Sequence, residues 1–410
     1  MTAITSGKSW RTPMLVLVAA AVTVILSMGL RSSFGLFLRP MSADLGWGRE
    51  IFAFGMALQN LLWGVFQPVA GAIADRFGAG RVIAGGGVLY ALGLYVMSTT
   101  SSPQDFHLSA GLLIGMAQSG AGLSVVLGAA GRVFPEERRS WALGVITAAA
   151  SLGQFSIVPL GQAFLSTYGW QFSFLLLGII ALLIIPMGSA LKGRAEPLTA
   201  ADDQTLGQAL REAIAHKGFL LLTLGFYVCG FHVAFIGVHL PAYLVDRGAT
   251  AELGAWALAL IGLFNIIGSY TAGVLGGRRS KKYMLSGIYL LRAVAFFGFI
   301  TVPVSVTSTL LFSAAIGLLW LSTIPLTSGL VAQIFGPRYM ATLFGVVFFS
   351  HQLGSFTGVW LGGYLFDTTG SYDVVWWAGV ALGIAAAIVH WPIDDKAVAR
   401  LEAIQATNAG

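Results

Sequence analysis

Long, nearly uncharged apolar runs recur along the whole chain, separated only by short polar breaks. Each is long enough for the roughly 20 residues that a helix needs to cross the hydrocarbon of a bilayer. In lipid every backbone polar group must be satisfied within the protein, which leaves helices or a closed barrel. The runs are too long and too evenly apolar for the alternating strands of a barrel. They read as twelve spans at about Thr12–Pro40, Glu50–Ala74, Arg81–Thr100, Phe106–Val133, Ser140–Tyr168, Gln171–Leu191, Gly218–Val245, Glu252–Gly276, Lys281–Val304, Thr307–Ile334, Met340–Phe366 and Val374–Trp391. Composition agrees: 56% of residues are hydrophobic and 10% charged, against about 25% charged in a soluble domain. The expected fold class is therefore an all-α membrane protein. Lys8 and Arg11 flank Met14–Leu38, which is too long for the apolar core of a signal peptide and is expected to stay as the first span. Cys229 is the only cysteine, so no intrachain disulfide is expected.

The longest polar stretch, Lys192–Lys217, separates an expected N-terminal six-helix bundle (1–191) from a C-terminal one (218–410). Within it Leu206–Ala215 has the pattern of a short surface helix. Of the 23 Lys and Arg, 18 fall on alternate breaks, the linker and the two ends. The positive-inside rule places those segments in the cytoplasm. Arg39, Arg49 and Arg247 fall on the opposite side, and Arg31 and Arg292 within spans. This points to a multi-pass protein of the cytoplasmic (inner) membrane with both termini inside. The same ordering argues against nucleic acid as the partner of the net charge of +6.

The halves repeat at an offset of 201 or 202 residues. The first and seventh spans share Gly29/Gly230, Phe34/Phe235 and Pro40/Pro241. The fifth and eleventh share Gly144/Gly345, Gly153/Gly354, Phe155/Phe356 and Gly161/Gly362. The breaks after the second and eighth share Gly71/Gly273 and Arg76/Arg278. Two similar bundles can rock about a site between them, as alternating access requires. The break after the second span reads Gly71-Ala-Ile-Ala-Asp75-Arg76-Phe-Gly78-Ala-Gly80-Arg81. It resembles the signature loop of the major facilitator superfamily, G-x-x-x-D-R-x-G-x-x-[RK]. The resemblance implies two pseudo-symmetric six-helix bundles. It also gives Gly71, Asp75, Arg76, Gly78 and Arg81 a conformational role, with Asp75 free to pair with a basic group or a helix N-terminus. In the second copy Gly277 replaces the Asp and Ser280 the Gly, while Arg278 is kept. Three runs resemble the bacterial monocarboxylate and oxalate/formate porter branch: Gly29-Leu-Arg31 through Pro40, Gly230-Phe-His232 through Tyr243, and Gly153-Gln154 with Gly169-Trp170. Many proton-coupled members carry an arginine in the fourth span where Gly115 stands here, three residues before Gln118.

None of the 17 acidic residues falls in the middle of a span. The ionisable groups inside are Arg31, Arg292, His232 and His351. A charge at a helix centre costs at least ~2.5–3.5 kcal/mol, and these arginines have no acidic counter-ion in the spans. A bound anion would supply one, and the guanidinium fork suits a carboxylate. Arg31 precedes Pro40, and His232 precedes Pro241, by about 14 Å of helix. Both are therefore expected at one depth, facing a shared site. His351 and Gln352, with the amides Gln118, Gln154 and Asn265, are candidate site residues, and histidine suits a coupled proton. Arg292 is expected to be structural or gating. Asn60 is a further intramembrane amide. Gly85-Gly86-Gly87 lies inside a span and serves close packing rather than phosphate. No Walker motif, metal cluster or nucleophile elbow is present. ATP drive, cofactors, metals and catalysis therefore have no support.

The sequence thus points to a monomeric secondary carrier of a small organic anion, a monocarboxylate, by proton symport or antiport-type anion exchange. The competing readings are an exporter of an amphipathic metabolite or drug, and a membrane anion sensor that moves nothing.

Overall fold

The computed structural model describes residues 12–193, 204–336 and 339–401. Lys8, Arg11, Arg194 and Arg338 lie outside the described residues, as does the side chain of Asp75. Among the described residues there is no strand. The spanning helices are α1 (Pro13–Leu45), α2 (Arg49–Phe77), α3 (Ala79–Ser98), α4 (Pro103–Gly131), α5 and α6, α7 (Lys217–Asp246), α8 (Ala251–Gly276), α9 (Lys281–Thr301), α10 (Val306–Phe335), α11 (Met340–Thr369) and α12 (Asp373–His390). Helices α5 and α6 share the stretch Trp141–Ala190. They meet without a loop at Gly169, whose φ of 74° and ψ of 176° turn the chain where a side chain would be strained. Leu206–Ala215 is the expected short helix, begun by a capping box in which Thr205 and Gln208 satisfy each other's backbone N–H groups.

The repeat is a packing rule made visible. A Cβ on Gly29 would lie 2.6 Å from the Gly153 carbonyl, so α1 and α5 cross in contact there. The repeat partners do the same: Gly230 on α7 abuts His351 and Ser355 of α11, and Gly354 abuts Tyr227. Without a hydrophobic drive between helices in lipid, such small residues let the backbones approach.

Two spans expected to be continuous are broken near mid-depth. In α4 the break is at Gly122 (φ −78°, ψ 173°), after a wide π-turn segment His107–Leu113. In α10 helix ends at Leu319 and resumes at Thr323. Position 122 plus the repeat offset falls on that resumption, so the breaks correspond. Broken helices at matching places in two repeats mark the usual location of a transporter's site.

The halves meet along α2 with α11 and α5 with α8. At mid-depth Gly64 of α2 receives the side chain of Gln352, and Gly262 of α8 that of Gln154. Seven residues further toward the face bearing the linker, α2 and α11 present Gly71 and Gly345, and α5 presents Gly144 ten residues before Gln154. A Cβ on any of these would meet nothing within 4 Å. The halves are therefore in contact from mid-depth to the far face and splayed toward the linker face.

Candidate substrate-binding site

A small cavity of ≈ 50 Å³ lies at mid-depth where the halves meet. On one side it is lined by Arg31 of α1, Met56, Gln59 and Asn60 of α2 and Gln154 of α5. On the other it is lined by Val233, Ala234, Gly237 and Val238 of α7, Leu258 of α8 and Trp320 at the α10 break. A Cβ on Gly35 would collide with the Gly237 carbonyl, so α1 and α7 cross in contact at this level. Arg31 Nη2 donates to Asn60 Oδ1 at 2.6 Å. The amide of Asn60 is held in that sense because its Nδ2 donates to the Met56 carbonyl at 2.8 Å. The guanidinium carbon lies 5.2 Å from the Trp63 ring centre, a cation–π contact. Its Nε is buried without a partner, and among the described residues Arg31 has no ion pair. The cavity thus presents one cation, neutral amides and, opposite, an apolar wall.

The structure does not bring all the expected residues here. His232 is the clearest correction: its Nε2 lies 2.8 Å from the Gly379 carbonyl of α12, and its ring 4.7 Å from that of Phe296. Equal depth holds, but the short imidazole is taken up inside its own half while its neighbours Val233 and Ala234 face the cavity. Gln118 is buried among α1, α3 and α4, donating to the Ser27 carbonyl (3.1 Å) and the Tyr90 hydroxyl (2.8 Å). Gln154 borders the cavity and also crosses it, donating to the Leu258 carbonyl at 2.7 Å. Asn265 donates to Ser151 Oγ of α5 at 2.8 Å. His351 packs on Phe348 and Phe226 beside Gln352, and neither lines the cavity. Arg292 donates from Nε (3.2 Å) and Nη2 (2.7 Å) to the Leu319 carbonyl, and again from Nη2 to the Trp320 carbonyl, at the α10 break. Trp63 and Trp320 carried no sequence signal, being aromatic residues in apolar runs.

The profile of the family described as Major Facilitator Superfamily matches residues 20–359. The chain belongs to this superfamily. It is similar to monocarboxylate transporter 13 of Rattus norvegicus, 27% identical over 87% of this chain and 83% of that one. It is 29% identical to monocarboxylate transporter 11 of Homo sapiens, over 91% and 81%. An uncharacterised MFS-type transporter of Bacillus subtilis (strain 168), YcxA, is 26% identical over 92% and 95%. Two solved structures share the fold at 16% identity. One is a bacterial homologue of the human lysosomal transporter Spinster (TM-score 0.71, covering 93% of this chain and 95% of that one), the other a D-xylose–proton symporter (TM-score 0.67, 94% and 99%).

The superfamily's signature loop lies on the linker face. Gly78 turns the chain at φ 99°, and Gly80 packs against Gly188 at the end of α6, where only glycine on both sides allows the approach. Arg76 lies 5.3 Å from the Phe77 ring, and Arg278 begins the corresponding turn after α8. The opposite face is held by groups the sequence did not single out. Arg49, first residue of α2, forms a bidentate pair with Asp246 of α7 (2.5 and 2.8 Å) and donates to the Tyr372 hydroxyl (2.9 Å). Asp367, near the end of α11, accepts from the backbone N–H groups of Arg49 (2.9 Å) and Glu50 (2.7 Å). No side chain caps α2 from its own half; the cap comes from the other one. Glu50 in turn accepts from Trp360 Nε1 at 3.0 Å.

Proposed function

We propose that this transporter moves a small organic anion, a monocarboxylate, by alternating access, as proton symport or anion exchange. The observation that carries the reading is Arg31: a half-buried guanidinium lining the cavity, bonded to a neutral amide, with an unpartnered Nε and no ion pair among the described residues. A carboxylate would complete its hydrogen bonds and cancel its charge. One cation and an apolar opposite wall suit a single carboxylate on a short apolar body. The similarity to proteins named monocarboxylate transporters supports the same class.

The splayed linker face is the open one, and the basic residues on that face argue that it is cytoplasmic. Closing it would seal Arg31 away from water at a cost that an anion offsets, so the loaded carrier closes more readily than the empty one. A ligand shifts such an equilibrium only by its differential affinity for the two states. Charge cancellation at Arg31 supplies that difference. In a symport mode histidine rather than a carboxylate carries the proton, since the spans hold no internal Asp or Glu.

The test is a thermal-shift series on purified protein with short monocarboxylates, dicarboxylates and lipophilic cations. The expected result is stabilisation by monocarboxylates that disappears in Arg31→Ala. Stabilisation by lipophilic cations, unchanged in Arg31→Ala, would favour export of amphipathic compounds instead.

A further inference from the structure

The break in α10 is closed by two side chains from different helices. Arg292 of α9 takes the carbonyls of Leu319 and Trp320. Asn265 of α8 takes the N–H of Leu321 on its Oδ1 at 2.9 Å. These are the backbone groups that an unbroken helix would pair internally, and in a span they need partners. The same Asn265 donates its Nδ2 to Ser151 Oγ of α5, in the other half, at 2.8 Å. One amide therefore holds the α10 break and spans the seam between the halves. Trp320, inside the break, forms part of the cavity wall.

We propose that Asn265 is a positioning residue that ties the α10 break, and with it the Trp320 wall of the cavity, to separation of the halves along α5 and α8. When α5 and α8 part, the bond to Ser151 goes. The amide, whose Oδ1 also accepts from Ser269 Oγ of its own helix at 2.9 Å, then loses its anchor in the other half and turns, the Leu321 N–H loses its acceptor, and the segment from Trp320 onward loosens. Asn265 thus acts on the site through α10 rather than by touching substrate. The inference uses the proposed cavity as the site. It does not depend on what the cavity binds.

The chain carries its own reporter. Its single cysteine, Cys229 of α7, is buried with Sγ 3.3 Å from Oγ1 of Thr323, the first residue after the break. Loosening the break uncovers this thiol. The experiment measures the rate at which a small methanethiosulfonate modifies Cys229 in purified, substrate-free protein. Ser151→Ala removes only the tether and should raise the rate several-fold with an unchanged melting temperature. Asn265→Ala also strips the acceptor from Leu321 and should raise it at least about tenfold. Asp367→Ala, which removes the cap on α2 at the α2–α11 seam and leaves the α5–α8 bond and α10 in place, should leave it within twofold of wild type. A wild-type rate in Ser151→Ala overturns the proposal, as does an equal rise in Asp367→Ala, which would mean the thiol senses any separation of the halves. If Asn265→Ala does not fold, Ser151→Ala and Asp367→Ala decide between them. Substrate binding, measured separately, tests the anion reading: loss of anion binding with the thiol rates as expected would sink that reading alone.

Discussion

At the scale of single residues, Arg31 carries the account and its neighbours qualify it. Removing a charged hydrogen-bond partner costs about 1.5–3 kcal/mol, and 1.4 kcal/mol is one decade of affinity. Arg31→Ala should thus weaken monocarboxylate binding at least about tenfold by calorimetry. Arg31→Lys should recover only part, because a point charge lacks the fork that grips a carboxylate. Asn60→Ala should cost less, since it removes a neutral partner of Arg31. Arg31 was legible because a lone charge in an apolar run is costly wherever the helix turns. His232 was not: depth follows from residue count, but which carbonyl an imidazole finds depends on a neighbour such as Gly379, 147 residues away. Asn60 stood out only as an amide in a span. Its pairing with Arg31 rests on the crossing of α1 and α2, which no local pattern encodes.

At the scale of helices, the far face is closed by a cap supplied across the seam. Asp367 bonds to two N–H groups at the positive end of α2, where a cap is typically worth about 0.5–2 kcal/mol. Because the cap and the helix belong to different halves, that energy bears on the conformational equilibrium as well as on stability. Asp367→Ala should therefore expose a cysteine placed at Phe356, whose ring lies 6.1 Å from that of Phe54 across the seam. In a Cys229→Ser background, maleimide should label it faster than in the parent; an unchanged rate contradicts the cap's role. The glycines divide in the same way. Gly262→Leu collides with Gln154 and should disfavour the conformer described here. Gly144→Leu meets open space in it and should instead block closure of the linker face, lowering transport while binding persists. Helix positions, the repeat and the close crossings were readable from apolar runs and paired glycines. The latch was not, because Arg49 and Asp246 lie 197 residues apart and Arg49 and Asp367 318. The breaks in α4 and α10 were equally hidden, since Trp320-Leu321-Ser322 reads as continuous helix until Arg292 and Asn265 are seen to satisfy its backbone.

At the scale of the whole molecule, two similar bundles touch from mid-depth to one face and part toward the other, and Arg31, without an ion pair among the described residues, lies at the point of parting. This arrangement suits a carrier that exposes one site alternately to two sides. The proposed orientation puts the linker in the cytoplasm. A cysteine replacing Gln204, in the Cys229→Ser background, should resist an impermeant maleimide in intact cells, while one replacing Gly248 should react. Labelling at 204 alone would reverse the orientation. The central claim, that the cavity carries an organic monocarboxylate on Arg31, is tested most directly in proteoliposomes by counterflow of a radiolabelled short monocarboxylate, wild type against Arg31→Ala. The account predicts saturable uptake into vesicles preloaded with the same anion, reduced at least about tenfold in the variant. Equal uptake by a well-folded Arg31→Ala protein would contradict it.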